Sequence, residues 1–297
     1  MLKKQDKLKR MLKKILKTIL QYLLAIIISL VIALLLRIFA VDFYSIPSDS
    51  MEPTLQPGDF IVVNKLCYGA RVYKNFKFLD DGSEPPTYRV KGFSKVKHND
   101  VIVFNYPYHK RRDTIKMNLS TFYVKRCIAL PGDSLCIANG FYKVNGEKGF
   151  GNMDNQEMLS SWPGFQGIYR YTISPSHIEP KWDVKNFGPL VIPGKGITLP
   201  IDTSNISLYR RPITFETGAN ITVGNGRVRL GGQPLDSYTF TQNWYFMAGD
   251  NVVNSQDSRY IGMVPEKYLV GKVVRILTAK DKETGKYRWN RFLKKVK

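Results

Sequence analysis

Three segments of the chain carry residue types that could do chemistry together. The first is IPSDSMEPTLQPGD (46–59), in which Ser48 and Ser50 flank Asp49 while Pro47, Pro53 and Pro57 stiffen the backbone. A serine becomes a nucleophile only when a neighbouring group takes its proton. A Ser-His-Asp triad would draw on His98, His109 or His177. The first two flank a strand in charged, loop-like sequence, and the third lies in a polar stretch. No GxSxG elbow accompanies any of them, so the triad is disfavoured. Lysine is the other acceptor, and it must lose water to serve near neutral pH, because its ordinary pKa is about 10.4. The second segment, TFYVKRCIAL (121–130), supplies such a lysine: Lys125 sits among Phe122, Val124, Cys127 and Ile128. Strand alternation sends Lys125 and Arg126 to opposite faces, one inward and one able to reach solvent. From the strand alone, a desolvated base and an edge-strand lysine that blocks aggregation weigh equally. The third segment, AGDNVVNSQDSRYIGMVPE (248–266), follows an aromatic run, YFM, and packs Asn251, Asn254, Ser255, Asp257, Ser258 and Arg259 between two glycines, Gly249 and Gly262. A polar loop placed there suits the wall of a site.

The elements that must position these residues can be read next. Residues 19–36, ILQYLLAIIISLVIALLL, carry no charge, and after Arg37 the run IFAV continues the apolar character to residue 41. A membrane span takes about 20 such residues, and an arginine at its edge can snorkel. The run exceeds the ~7–15 apolar residues of a cleaved leader and lacks an Ala-x-Ala-like site, so an uncleaved anchor is expected. Eight basic residues precede it, which places the N-terminus in the cytoplasm and the rest outside. Leu8, Met11, Leu12, Ile15, Leu16, Ile19 and Leu20 recur at helical spacing, as in a basic amphipathic helix on the inner leaflet. Beyond residue 41, FIVVNKL, DVIVFNY, TFYVKRCIAL, FYKV, ITVGNGRVRL and YLVGKVVRIL read as strands, and Asn145-Gly146 and Asn225-Gly226 as hairpin turns. Helical periodicity is nearly absent there. The fold class is therefore mostly β: one N-terminal transmembrane helix, then a β-rich exported domain with a β-rich insertion. The boundaries are 1–18 for the basic segment, 19–41 for the anchor, 42–146 for the first part of the core, 147–240 for the inserted sub-domain and 241–297 for the last part with its basic tail.

The net charge of +21 raises nucleic acid as a partner, yet the first eighteen residues hold eight of the basic residues against one acid, and RWNRFLKKVK closes the chain with more. With no zinc-finger, KH or RRM motif, no nucleic-acid partner is expected. The histidines are isolated and no CxxC occurs, so neither metal nor cofactor is expected. Cys127 and Cys136 flank the Pro131-Gly132 turn almost symmetrically. Their spacing admits a disulfide across a hairpin and equally two buried thiols.

In order along the chain, IPSDSMEPTL, DVIVF, YVKRCIALPGD and GDNVVNSQDSRYIGMVPE resemble the signature boxes of bacterial type I signal peptidase, the membrane-bound leader peptidase. FGPLVIPGKG (187–196) resembles an element of its longer, Bacteroides-like forms. The resemblance covers most of residues 19–280. It implies the signal peptidase fold and a Ser–Lys dyad, with Ser50 as nucleophile and Lys125 as general base. It implies an oxyanion hole from the Ser50 N–H and the Ser48 hydroxyl, and Ser255 as the group orienting the lysine. Met51, Pro53, Arg126, Gly249, Asp250, Asn251, Asp257 and Arg259 match supporting positions. The implied substrates are exported preproteins whose signal peptides end in small residues at −1 and −3. The implied setting is the bacterial cytoplasmic membrane, with lipid and, transiently, the secretion translocon as partners. Two positions depart from the pattern: Val252-Val253 stands where Arg-Asp is usual, and Asp49 where glycine is frequent. Neither removes a catalytic group. The rival readings are a Ser–Lys protease dedicated to one secreted or conjugation-type substrate, and a non-catalytic binding protein on the same scaffold. Loss of Ser50 or Lys125 would mark the latter, and both are present.

Overall fold

A computed structural model describes residues 2–75, 84–108, 114–162 and 182–297. His109, His177 and the middle of the expected insertion lie outside the described residues. Helix α1 (Leu2–Phe39) runs unbroken, because no glycine or proline interrupts it. It joins the basic and apolar segments into one rod. Among the described residues it is the one helix long and apolar enough to cross a membrane.

The apolar, alternating segments build a seven-stranded sheet whose neighbours pair antiparallel. Its order is β1 (Val41–Ser45), β2 (Asp59–Asn64), β17 (Leu269–Ala279), β5 (Val101–Asn105), β6 (Phe122–Ala129), β15 (Trp244–Ala248) and β16 (Val264–Pro265). The sheet curls: Tyr44 of β1 and Phe122 of β6 stand four places apart in that order, yet their rings are 5.1 Å apart. Smaller sheets surround it. They are β3 (Arg71–Tyr73) with β4 (Thr87–Arg89), and β7 (Ser134–Ala138) between β8 (Phe141–Val144) and β9 (Phe187–Val191). Further on, β10 (Thr198–Pro200) pairs β14 (Ser237–Thr239), and β12 (Arg227–Leu230) lies between β11 (Ile221–Gly224) and β13 (Gln233–Pro234). The Asn-Gly pairs at 145–146 and 225–226 all take positive φ, as a two-residue hairpin turn requires.

The mostly β class holds, but the exported part has more helix than its periodicity announced. Helix α2 (Met153–Ser161) is capped by Asn152, whose side chain accepts the Asn155 N–H at 2.9 Å. It buries only Gln156 and Leu159, too few residues to register as an apolar stripe. Helix α3 (Ile206–Thr217) does bury Ile206, Tyr209 and Ile213 at helical spacing, but Pro212 inside it masks the pattern. Gly218 ends α3 in the left-handed region. A short α4 (Ser258–Ile261) lies in the last signature segment.

Two apolar clusters fill the interior. The larger runs from Ile102 and Phe104 through Leu135, Ile213, Ile221 and Val228 to Trp244 and Phe246, so residues on both sides of position 147 share it. The smaller gathers Ile61, Val63, Val101, Val103, Val273 and Ile276 around Met51 and Leu55. The cysteines all carry free thiols. Cys127 lies on β6 and Cys136 on β7, and these strands belong to different sheets, so the turn between them does not bring the two thiols face to face.

Candidate active site

Lys125 lies in β6, opposite Ile102 of β5. Because β6 runs between β5 and β15, the edge-strand reading of this lysine does not apply. Its side chain is almost wholly buried, at 4% exposure, and its Nζ donates to Ser50 Oγ at 2.6 Å. Burial lowers its pKa to about 8, partly opposed by Asp257, Asp250 and Asp49, while Arg259 adds to the lowering. Roughly a tenth of such a lysine is neutral at pH 7. Its ammonium also lies 5.5 Å from the centre of the Tyr123 ring.

Ser50 stands on the loop between β1 and β2. Its neighbour Met51 is 1% exposed and Leu55 fully buried, and both plug the smaller core. Burial of each contributes about 1.5–3 kcal/mol, enough to hold an irregular loop in one place. The peptide bond between Glu52 and Pro53 is cis. Ser48 Oγ lies 3.4 Å from Ser50 Oγ, on the exposed side of the loop. On the other side the Ser50 carbonyl accepts the Asn251 N–H at 3.2 Å. Asp49 turns to the last signature segment: its carboxylate accepts from Asn254 Nδ2 at 2.8 Å, and its carbonyl from Asn251 Nδ2 at 3.3 Å.

Two buried ion pairs brace the site. Arg126 forks onto Asp250, with Nε–Oδ1 at 2.7 Å and Nη2–Oδ2 at 2.6 Å. It donates further to Asn99 O, Lys297 O and Thr54 Oγ1. Strand alternation leaves one of Lys125 and Arg126 able to reach solvent, yet both are buried, because the segment around Val296 closes over the second face. Arg259 forks likewise onto Asp257, at 2.9 and 2.8 Å, and donates to Val252 O at 2.9 Å. Burial alone would raise the Asp257 pKa, but Arg259 and several hydrogen bonds hold it below the usual carboxylate range. Val252 is itself buried in the larger cluster, so at this position an apolar contact replaces one member of the usual charged pair.

Gly249 is there for space: a Cβ would meet Ser255 Oγ at 2.1 Å and Ser50 O at 2.4 Å. Its N–H donates to Asp257 Oδ2 at 3.0 Å. Ser255 is buried beside it. Its hydroxyl leans on the Asp257 carboxylate without closing a hydrogen bond of ordinary geometry, and none joins it to Lys125 among the described residues. His98 is elsewhere, 2.7 Å from Asp133. One residue the sequence did not single out is Asn155 of α2. Its Nδ2 donates both to Glu52 O at 2.9 Å and to Asp250 O at 2.7 Å, tying the nucleophile loop to the last segment. No side-chain spacing announces a contact made to two backbone oxygens.

In front of Ser50 lies a cleft of about 500 Å³. Tyr44 to Pro47 form one wall, Phe122 to Val124 the other, and Asn254 and Gln256 an end. The Tyr123 hydroxyl donates to Gln256 Oε1 at 2.9 Å across that end.

A buried lysine hydrogen-bonded to a serine and open to a cleft, on a domain that follows a helix long and apolar enough to cross a membrane, fits a membrane serine peptidase. Comparison with known proteins gives the same class and narrows it. Residues 19–278 match the family described as "Signal peptidase, peptidase S26". The signal peptidase I of Buchnera aphidicola (Schizaphis graminum) is 29% identical over 268 residues, covering 85% of this chain and 72% of that protein. That of Pseudomonas aeruginosa is 29% identical over 253 residues, with 81% and 66% covered, and that of Helicobacter pylori 26695 is 27% identical over 252 residues, with 78% and 73% covered. The chain belongs to the signal peptidase family, membrane serine peptidases that remove signal peptides from exported preproteins.

Proposed function

We propose that Ser50 is the nucleophile and Lys125 the general base of this peptidase, the 2.6 Å contact between them being the observation that carries the assignment. Neutral Lys125 takes the Ser50 proton as Oγ attacks the scissile carbonyl carbon. The developing oxyanion is met by the Ser50 N–H and the Ser48 hydroxyl, and loss of one such donor costs ~10²–10³ in rate. The lysine returns its proton to the leaving amine, the mature protein departs, and a water deprotonated by Lys125 releases the signal peptide from Ser50. Arg126–Asp250 ties β6 to the last signature segment, and Arg259–Asp257 braces that segment from within. Met51 and Pro53 shape the nucleophile loop, while Gly249, Asn251 and Ser255 form its other bank.

The cleaved segment lies extended between Tyr44–Pro47 and Phe122–Val124, along the edge left open by β1. Ile46 and Val124 in those walls favour small side chains at −1 and −3. The basic N-terminus is cytoplasmic, and α1 anchors the enzyme in the bacterial inner membrane with the catalytic domain outside. There it works against the lipid surface and beside the translocon. Residues 147–240 form an inserted sub-domain that leans on the site through Asn155.

Ser50→Ala and Lys125→Met should each cut preprotein cleavage in detergent by about 10⁴-fold or more while the fold stays intact by circular dichroism. Near-normal processing by either variant would sink the dyad.

A further inference from the structure

The joint between the membrane helix and the catalytic domain has no slack. α1 ends at Phe39 and β1 begins at Val41. The Ala40 N–H donates to Leu36 O, and Ala40 O accepts the Lys65 N–H, both at 2.8 Å. Helical hydrogen bonding thus passes straight into the β1–β2 ladder, which continues with Val41 opposite Asn64. The last carbonyls of a helix lack partners within it and form the negative end of its dipole. Here Lys65 reaches back to them: Nζ donates to Arg37 O at 2.6 Å and reaches Ile38 O at 3.5 Å. Asp42 Oδ2 lies 3.0 Å from the same ammonium, whose side chain is only 13% exposed. The onward path is pinned as well. The Ile46 N–H donates to Asp59 O at 2.8 Å, and Ile46 O accepts the Gly58 N–H at 2.9 Å, four residues before Ser50.

A continuous hydrogen-bonded path therefore links the end of the span to Ile46, four residues before the nucleophile. We propose that Lys65, capping α1 and paired with Asp42, locks the membrane helix onto the catalytic domain. The Ser50–Lys125 pair is thereby held at a fixed height above the bilayer, and the enzyme chooses its scissile bond by distance from the membrane surface. Lys65 is a positioning residue: it lies outside the cleft and touches no reacting atom. The inference rests on the dyad reading above and on α1 crossing the bilayer.

The test uses the full chain in liposomes, wild type and Lys65→Met. The substrates are membrane-inserted preproteins whose cleavage site is moved one helical turn nearer to or farther from the apolar segment, and a short soluble peptide bearing the same site. Wild type should favour one spacing by about tenfold, and Lys65→Met should flatten that preference to within about threefold, while soluble-peptide cleavage stays within about twofold. A flexible Gly-Ser insertion between Ala40 and Val41 should flatten it in the same way without touching Lys65. An unchanged spacing profile in Lys65→Met overturns the proposal. So does an equal loss on the soluble peptide, which would put Lys65 in folding or in the dyad itself. Ser50→Ala is run beside them: cleavage surviving in that variant would defeat the dyad reading, a failure separate from either of these.

Discussion

Ser50 and Lys125 touch, yet they are held by opposite kinds of support. Lys125 projects from a strand flanked on both sides by β5 and β15, in the dry middle of the curled sheet. Ser50 rides on an irregular loop whose outer residue, Ser48, is exposed. The difference fits the roles proposed for the two groups. A lysine becomes a base near neutral pH only where water is excluded, so its place is a packed strand. A nucleophile must meet a long peptide, so its place is an open loop. The strand fixes the lysine through a ladder, whereas the loop takes its accuracy from others: Met51 and Leu55 beneath it, Gly249 and Asn251 behind it, Asn155 beside it. The loop's borrowed contacts should therefore be the more fragile side of the pair.

The hardest blow to those contacts is Gly249→Ala. Its methyl group would fall 2.1 Å from Ser255 Oγ and 2.4 Å from the Ser50 carbonyl, and the latter is backbone that cannot swing away. Overpacking of this kind costs about 1–3 kcal/mol of stability. A displacement of the nucleophile by about 1 Å costs about 10²-fold in rate. Thermal melts and single-turnover preprotein cleavage should show a modest fall in Tm with a far larger fall in rate. A rate loss no greater than the loss of folded protein would mean that the loop tolerates the shift.

Asn155→Ala probes the same loop more gently. The substitution takes donors from the Glu52 carbonyl and from the carbonyl of buried Asp250, so stability should fall by about 1 kcal/mol. The rate constant of acylation should fall about tenfold with KM nearly unaltered, because only alignment is lost. Asn155→Ser, which keeps one donor, should recover part of it. A change confined to KM would move Asn155 from the nucleophile loop to the substrate.

How much of this was legible in the chain depends on where each partner lies. Lys125 was visible because a charged residue inside an apolar strand is an anomaly, and Ser50 because prolines crowd a serine just past the anchor. The main strands were visible because their alternation is local. Alternation leaves one of Lys125 and Arg126 able to reach solvent, because it tells which way a side chain points and not what covers it. The cover over Arg126 comes from Lys297 O, 171 residues on. Asn155 was invisible for a similar reason: its partners are main-chain oxygens 103 and 95 residues away. α2 and α3 escaped because one buries a glutamine and the other contains a proline.

The smallest effect gives the sharpest test of how loop and strand communicate. The charged groups acting on Lys125 are Asp257, Asp250 and Asp49, which favour its ammonium, and Arg259, which opposes it; burial outweighs them all. Of the three acids, Asp257 and Asp250 are each committed to an arginine, while the Asp49 carboxylate belongs to the nucleophile loop and bonds only to neutral asparagines among the described residues. Asp49→Asn keeps an oxygen for Asn254 and deletes the charge. With neutral Lys125 as the proposed base, kcat/KM should rise with pH through a limb near 8 in the wild type. Removing an anion that favours the protonated form must lower that pKa. The limb should therefore move to lower pH, by about a few tenths of a unit given screening at a half-exposed carboxylate. Activity below the limb should rise correspondingly, and the plateau above it should not change. A limb that stays still would mean that the loop positions Ser50 without touching the electrostatics of the base. A limb that moves upward would mean that the base is not Lys125.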